Sequence, residues 1–144
     1  DIIEVEGATG NVHTNFDGKA QAAINSLDGG ADFVYVHLEA PDEAGHRHEI
    51  ENKVKAIELI DEKIVAPIAE HLKKKGEDFA MLIMPDHPTP LAIKTHSREP
   101  VPYVVYCSKD EKSGKERSYT EKEAEKTGIF IEDGYKIIEK LFNC

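Results

Sequence analysis

An acid and a histidine, Asp86 and His87, stand directly after an apolar run, residues 79–84, and are flanked by prolines. Such a run is typical of a strand that is buried on both faces of a parallel sheet. Core packing does not require a carboxylate beside an imidazole, whereas a divalent metal ion binds both kinds of ligand. Open α/β sheets place their sites at the C-terminal ends of strands. The position of this pair therefore predicts metal binding.

A second pair, Asp42 and His46, follows the apolar segment 32–38 and is spaced four residues apart. On a helical turn this spacing places both side chains on one side, close enough to share an ion. His96 lies in a third loop, so the sequence offers two aspartates and three histidines. This set exceeds one tetrahedral site and falls short of two complete sites. We therefore predict a two-metal centre with missing ligands, of the kind that clamps a phosphoryl group.

Each of these groups also has a simpler explanation. Asp42 and His46 alone are typical of a surface ion pair beside a helix start. Asp86 alone is typical of a turn whose carboxylate caps the backbone, and a single histidine such as His96 is more often a surface residue. Their combination after successive apolar segments favours metal binding. Glu39 and Glu43 in the first loop are further possible ligands, and His48 is close enough to His46 either to support a ligand or to be mistaken for one.

An attacking group is harder to identify than the ligands. None of the serines accompanies a base or forms a nucleophile elbow. Lys94 and Arg98 flank His96, but no cluster of basic residues marks a phosphate site. A water activated by the metal remains open as the nucleophile.

Length and composition predict one globular domain of 144 residues, with 40% hydrophobic residues and a formal net charge of −10. The acidic balance argues against nucleic acid or an anionic membrane as a partner. No apolar segment approaches the ~20 residues of a membrane span. Two distant cysteines, Cys107 and Cys144, argue against a disulfide framework and favour a reducing cytoplasm. A start without methionine suggests a piece of a longer protein.

The elements that would position the candidate ligands alternate between strand and helix. We expect strands, from their apolar and β-branched residues, at 2–5, 32–38, 79–84 and 101–107. We expect helices at 16–27, 49–75, 120–128 and 133–142, and a charged exposed loop at 108–118. The alternation predicts a three-layer α/β/α fold with a mainly parallel sheet. So few strands suit an incomplete half of a larger sheet.

Two of the expected helices carry apolar faces that we expect to point inward. The face of the long helix consists of Val54, Ile57, Ile60, Ile64 and Ile68. Its Pro67 should kink the helix or split it in two. The inward residues of the last helix are Tyr135, Ile138, Leu141 and Phe142.

The motifs, taken together, resemble a known family. They are residues 36–46, Lys53-Val54-Lys55-Ala56-Ile57-Glu58, Asp86-His87-Pro88-Thr89-Pro90 and His96-Ser97. In this order they resemble the archaeal-type 2,3-bisphosphoglycerate-independent phosphoglycerate mutases of the alkaline phosphatase superfamily. The resemblance implies an alkaline phosphatase-like fold and an isomerase that interconverts 2-phosphoglycerate and 3-phosphoglycerate. The reaction belongs to glycolysis and gluconeogenesis in the cytoplasm and needs no 2,3-bisphosphoglycerate.

The resemblance also implies roles for the candidate residues. Of two divalent ions, manganese or zinc, one would be held by Asp42, His46 and His96. Asp86 and His87 would hold part of the other. In the family an aspartate and the nucleophilic serine from the N-terminal part complete this second site, and neither has a match here.

Residues 1–144 would accordingly form the C-terminal part of the phosphatase-like mutase domain. The nucleophile-bearing N-terminal part and the inserted substrate-binding domain would be absent. The partners would be a small phosphorylated metabolite and the remainder of the parent chain, and the isolated chain would be inactive.

Two other functions fit the same residues. A different superfamily member would keep the metal centre and change the substrate; such relatives include phosphatases, phosphopentomutases, sulfatases and proteins that carry a homoserine kinase label. A non-catalytic metal-binding or interaction domain would keep the scaffold without phosphoryl transfer. The insert domain would decide the substrate.

Overall fold

The computed structural model describes residues 1–110 and 117–144 and separates into two units. The first unit comprises Asp1–Gly76 and Thr89–His96, and the second comprises Glu77–Pro88 and Ser97–Cys144. Within the two described ranges, no helix is long and apolar enough to cross a membrane. Each unit is considered by itself below.

Helices form the ordered framework of the first unit. They are α1 (Phe16–Asp28), α2 (Ala40–His46), α3 (Ile50–Ile60) and α4 (Ala66–Lys75). Asn15 caps the start of α1, because its side-chain oxygen accepts a hydrogen bond from the Gly18 N–H at 2.9 Å. The core of this unit is largely made of small residues, which let helices approach closely: Ala20, Ala23, Ala40, Ala44 and Ala56.

The end of α1 is held to α4 by charged side chains. The Asp28 carboxylate lies 3.0 Å from His71 Nε2 and 3.5 Å from Lys75 Nζ. The hydrogen bond from His71 holds the pKa of Asp28 below its usual range. The contact places positive charge beside the C-terminal end of α1, where a helix dipole favours it.

The long helix expected at 49–75 is interrupted, as its proline predicts. A π-helical turn at Asp61–Val65 separates α3 from α4, and Pro67 stands in the first turn of α4. The extra residue of the π turn lets the chain pass the proline, which lacks an N–H. Gly76 ends α4 with a φ of 73°, a left-handed conformation that glycine adopts easily.

The apolar face expected along this helix is buried only in its second half. Ile64 and Ile68 are buried, but Val54 and Ile57 are 52% and 50% exposed, so the prediction for these two residues is wrong. One inserted residue rotates the later positions by about 100° relative to the earlier ones. The π turn therefore separates one regular sequence pattern into two faces. α3 instead buries the small side chain of Ala56.

The segment 32–38 pairs with no strand in the described part of the chain, contrary to expectation. Its exposure nevertheless alternates: Val34 and Val36 are partly covered, whereas Phe33 and Tyr35 are 44% and 70% exposed. A period of two is typical of an extended chain with one covered face. The expected strand at 2–5 is likewise unpaired.

A two-stranded sheet forms the centre of the second unit. β1 (Ala80–Ile83) pairs with β2 (Val104–Cys107) in antiparallel orientation, with Ala80 opposite Cys107. Both lie within predicted strands, but the predicted parallel pairing is not found in the described residues. Pro102 cannot donate a ladder hydrogen bond, which accounts for the late start of β2. In the part of the chain that the structure describes, the sheet is one antiparallel pair, so the predicted layered parallel sheet is not confirmed.

The C-terminal region of the second unit contains α5 (Glu121–Glu125) and α6 (Ile137–Phe142). The Thr120 hydroxyl caps α5 by accepting a hydrogen bond from the Glu123 N–H at 3.2 Å. Tyr135 and Phe142, expected to face inward, are 77% and 63% exposed, so that prediction is wrong. Most of the loop expected at 108–118 lies outside the described residues.

Cys107 and Cys144 form a disulfide, with their Cα atoms 5.6 Å apart. The expectation of unpaired cysteines is therefore wrong. Their sequence separation of 37 suggested that they lie far apart, but α6 packs against β1 and returns the C-terminus to the sheet. The bond closes a loop that includes the whole C-terminal region of the second unit.

We expect Cys144→Ser to lower the free energy of unfolding by about 2–4 kcal/mol, because it removes a cross-link that restricts the unfolded chain. Denaturant titration under oxidising conditions measures the difference. The control is the wild-type chain in dithiothreitol, which should match the variant. A thiol titration that finds both cysteines free in the oxidised native chain would contradict the bond.

Candidate metal centre

Three predicted ligands of the first unit lie together. Asp42 and His46 are one turn apart on α2, and Asp42 Oδ2 is 3.4 Å from His46 Nε2. His96, at the end of the loop 89–96, places its Nε2 atom 3.3 Å from Asp42 Oδ1 and 3.1 Å from His46 Nε2. Each residue offers one ligand atom, and these three atoms all lie within 4.8 Å of one another. The helical spacing that the sequence suggested is therefore the one observed.

These separations fit a single divalent ion. Ligand atoms about 2.1 Å from a metal in tetrahedral geometry lie about 3.4 Å from one another. The distances of 3.1 to 3.4 Å, which involve Oδ2 of Asp42 for His46 and Oδ1 for His96, are close to this spacing. One carboxylate and two imidazole groups form a ligand set suited to zinc and to similar divalent metals. Asp42, His46 and His96 can therefore hold a metal ion.

The orientation of the His46 ring is fixed by a backbone carbonyl. His46 Nδ1 donates to the Lys94 carbonyl oxygen at 3.0 Å, since a carbonyl can only accept. In the neutral imidazole this leaves the Nε2 lone pair directed at the other two ligands. Lys94 has a φ of 54°, a costly conformation for a residue with a Cβ. The loop thus holds a strained residue where it contacts the site.

The Asp42 carboxylate is oriented by a buried threonine. The Thr89 hydroxyl donates to Asp42 Oδ1, and Thr89 is only 5% exposed. A hydrogen bond to a carboxylate ligand fixes its rotation and keeps its oxygens directed at the metal position. Sequence reasoning placed Thr89 in a motif without giving it a role, because nothing in the sequence indicates which side chain it would meet.

Gly45 allows the loop to approach α2. A Cβ atom at this position would lie 2.6 Å from the Thr89 carbonyl oxygen and 2.9 Å from Thr89 Cγ2. Both distances are too short for a side chain, so glycine is required by the contact rather than by helix formation.

The turn between α2 and α3 carries a further imidazole. The His48 N–H donates to the Gly45 carbonyl and the Glu49 N–H to the Ala44 carbonyl, the pattern of a Schellman motif. His48 occupies the left-handed position of this motif, with a φ of 59°. Its Nδ1 atom donates to the Leu91 carbonyl at 2.7 Å. His48 therefore lies outside the three-ligand group and secures the loop instead.

The acidic residues near α2 have other contacts. Glu43 binds Arg47 at 2.8 Å, and Glu39 lies 3.6 Å from His37 Nε2. Hydrogen bonds from Asn52 and then Arg47 hold the pKa of Glu49 below its usual range. Neither Glu39 nor Glu43 belongs to the ligand group found in the described residues.

Asp86 and His87 lie in the second unit and are not members of that group. Asp86 Oδ1 accepts from the His87 N–H at 3.1 Å, and its Oδ2 atom is 3.7 Å from His87 Nε2. The carboxylate thus contacts its neighbour's backbone and ring, the turn-capping behaviour considered for it from sequence. Their assignment to a second ion stays a prediction.

The geometry is that of a candidate metal site, and comparison with known proteins supports metal binding. A family model described as the metalloenzyme superfamily matches residues 1–139. The chain belongs to the metalloenzyme superfamily. Its family and its Asp-His-His group together support the binding of a divalent metal.

Within this family the chain is similar to proteins named 2,3-bisphosphoglycerate-independent phosphoglycerate mutase, which confirms the resemblance of its motifs. The Methanosarcina barkeri protein is 52% identical over 129 residues, covering 90% of this chain and 32% of the relative. The Saccharolobus islandicus protein is 36% identical over 142 residues, covering 99% of this chain and 33% of the relative. The chain spans about a third of the length of these curated relatives.

A solved structure, that of the PH0037 protein from Pyrococcus horikoshii, matches with a TM-score of 0.82 at 28% identity. The match covers 99% of this chain and 42% of that chain. Together with the family, it supports the alkaline phosphatase-like α/β fold expected from the sequence. The finer expectation of a parallel sheet is not met in the described residues.

We expect the chain to bind about one Mn²⁺ or Zn²⁺ ion and to be stabilised by it, by about 2.7 kcal/mol when free metal is about 100 times Kd. His96→Ala should lose the bound ion and the stabilisation. Metal analysis after dialysis and calorimetric melting measure the two effects. His13→Ala, a change at an exposed histidine outside the group, should behave like the wild type; equal loss in both variants would contradict the assignment.

Proposed function

We propose that the protein to which this chain belongs interconverts 2-phosphoglycerate and 3-phosphoglycerate by metal-dependent phosphoryl transfer. The observation that carries the proposal is the convergence of Asp42, His46 and His96 in a chain similar to proteins named for this reaction. In this proposal the enzyme is an isomerase that needs no 2,3-bisphosphoglycerate, and its substrate is a small phosphorylated metabolite. We place it in the cytoplasm, as the likeness to the mutases implies.

The three residues fit the ion that such a reaction needs. When bound, manganese or zinc supplies positive charge that stabilises a transferring phosphoryl group. The residues of the chain prepare the site for it. Thr89 fixes the carboxylate of Asp42, and the Lys94 carbonyl keeps the Nδ1 proton on His46. His96 closes the ligand set from the loop.

We further propose that Asp86 and His87 supply ligands to a second ion. The order of the motifs and the likeness to the mutases support this assignment. The aspartate and the nucleophilic serine that the resemblance implies would come from outside residues 1–144. The serine would take the phosphoryl group from one hydroxyl of glycerate and return it to the other.

This domain organisation makes residues 1–144 the C-terminal part of a metal-binding mutase domain. It is supported by the length of the relatives, which are about three times as long as the matched region. It is also supported by the apolar residues that the chain leaves uncovered, including Ile2 at 97% and Tyr35 at 70% exposure. The remainder of the parent chain, including an inserted substrate domain, would cover such residues.

We expect the isolated chain to show no mutase turnover in a coupled assay that follows consumption of 2-phosphoglycerate, because the nucleophile is elsewhere. The positive control is the full-length parent with manganese. Turnover by the pure 144-residue chain would contradict the proposed division of the site.

In the full-length parent, we expect Asp42→Asn to reduce kcat/KM by more than the roughly 100-fold typical for loss of an outer contact to a metal ligand. Glu70→Gln, an exposed change on α4, is the matched control and should retain activity. The same preparations are tested for hydrolysis of p-nitrophenyl phosphate and for phosphorylation of homoserine. Either activity without mutase turnover would favour another superfamily member, and metal binding without any activity would favour a non-catalytic domain.

A further inference from the structure

We propose that Lys53 is a positioning residue of the metal centre, whose ammonium group binds two backbone carbonyls and holds the loop 89–96 against α2. The inference rests on the proposed metal-dependent function and adds a determinant of metal affinity to it. Lys53 itself is not a ligand in this assignment.

The contacts of Lys53 join the two segments that carry the ligands. Its Nζ atom, at the end of a partly buried side chain on α3, donates to the Pro41 carbonyl at 3.0 Å and to the Thr89 carbonyl at 3.0 Å. Pro41 directly precedes Asp42, and the Thr89 hydroxyl donates to Asp42 Oδ1. One ammonium group thus holds the backbone on both sides of the same carboxylate.

An ammonium group suits this position for a physical reason. It is compact and carries three donors, so it can bind carbonyl groups from two directions at once. Hydrogen bonds from a charged donor are stronger than neutral ones. Loss of the donor would leave partly buried carbonyls without this partner, which is unfavourable. The loop would then shift to reach water or another donor.

The surroundings of Gly45 supply an independent observation. A Cβ atom on this residue would lie 3.0 Å from Lys53 Nζ as well as 2.6 Å from the Thr89 carbonyl oxygen. The helix therefore leaves open the space in which the ammonium group meets the loop. Any side chain at position 45 would disturb the contact between Lys53 and the Thr89 carbonyl.

Two histidines also contact the loop, but Lys53 binds it at a different point. His46 binds the carbonyl of Lys94 and His48 binds that of Leu91, both farther along the loop. Lys53 binds Thr89, where the loop begins. It therefore governs the start of the loop and, through the Thr89 hydroxyl, the orientation of Asp42.

Removal of the Lys53 ammonium group changes metal affinity in opposite directions under a positioning role and under simple electrostatics. A positive charge near a cation site opposes metal binding, so its removal alone would tighten binding. A positioning role predicts the opposite, because the ligands would lose their arrangement. For contacts of this kind the loss is about 10–100-fold in affinity.

The test uses Co²⁺ as the probe, since its visible absorption reports a tetrahedral ligand set. The wild-type chain, Lys53→Met and the control Lys55→Met are titrated and their Kd values compared. Lys55 is an exposed lysine on the same helix. We expect Kd to rise about 10-fold or more in Lys53→Met, with a weaker absorption band, and to stay within about twofold of wild type in Lys55→Met.

A metal-free measurement tests the same geometry. The rings of His46 and His96 have centroids 4.9 Å apart, so their protons should give a nuclear Overhauser effect. We expect this signal in the wild type and in Lys55→Met, and its loss in Lys53→Met. If Lys53→Met does not melt cooperatively, Lys53→Gln replaces it in both measurements. Its amide can still donate to one carbonyl, and the same changes in Kd and in the ring signal are expected.

The outcomes distinguish the inference from the function on which it rests. If the wild-type chain binds no Co²⁺, the proposed metal site fails, and the ring signal still decides whether Lys53 positions the loop. If the wild type binds Co²⁺ and the lysine variant binds it equally or more tightly with the ring signal intact, the positioning role is overturned.

Discussion

The close approach of the loop 89–96 to α2 at Gly45 is the constraint on which the metal centre depends. Asp42 and His46 are fixed by one helical turn, but His96 reaches them only because the loop lies against that helix. The absence of a side chain at Gly45 makes the approach possible, and the Thr89 hydroxyl converts it into a bond with Asp42. The site is thus a property of a packing contact between two segments.

The parts of this arrangement that depend on local physics could be predicted from sequence. The spacing of Asp42 and His46 indicated a shared helical face, and α2 provides it. The helix start at Asn15 and the helix end at Gly76 are of the same kind, because capping and left-handed conformation are properties of single residues. The order of the motifs identified His96 as a candidate ligand, but its distance from Asp42 could not be predicted.

The remaining features depend on contacts between distant parts of the chain. The exposure of Val54 follows from a π-helical turn that shifts the helix by one residue, which a regular hydrophobic period conceals. The antiparallel pairing of β1 with β2 depends on neighbours that no local pattern specifies. His46 contacts the backbone carbonyl of Lys94, so the side chain at position 94 gave no indication of this contact.

The use of backbone carbonyls in the loop has a consequence for how its sequence can change during evolution. Leu91 and Lys94 contribute main-chain atoms to the contacts with His48 and His46, so substitution there preserves the chemistry of both bonds. Position 94 would accept glycine or asparagine most easily, since its φ of 54° already disfavours other residues. Gly45 has no such freedom, because any side chain there would meet Thr89. Positions 91 and 94 can therefore vary in ways that Gly45, Thr89 and His96 cannot.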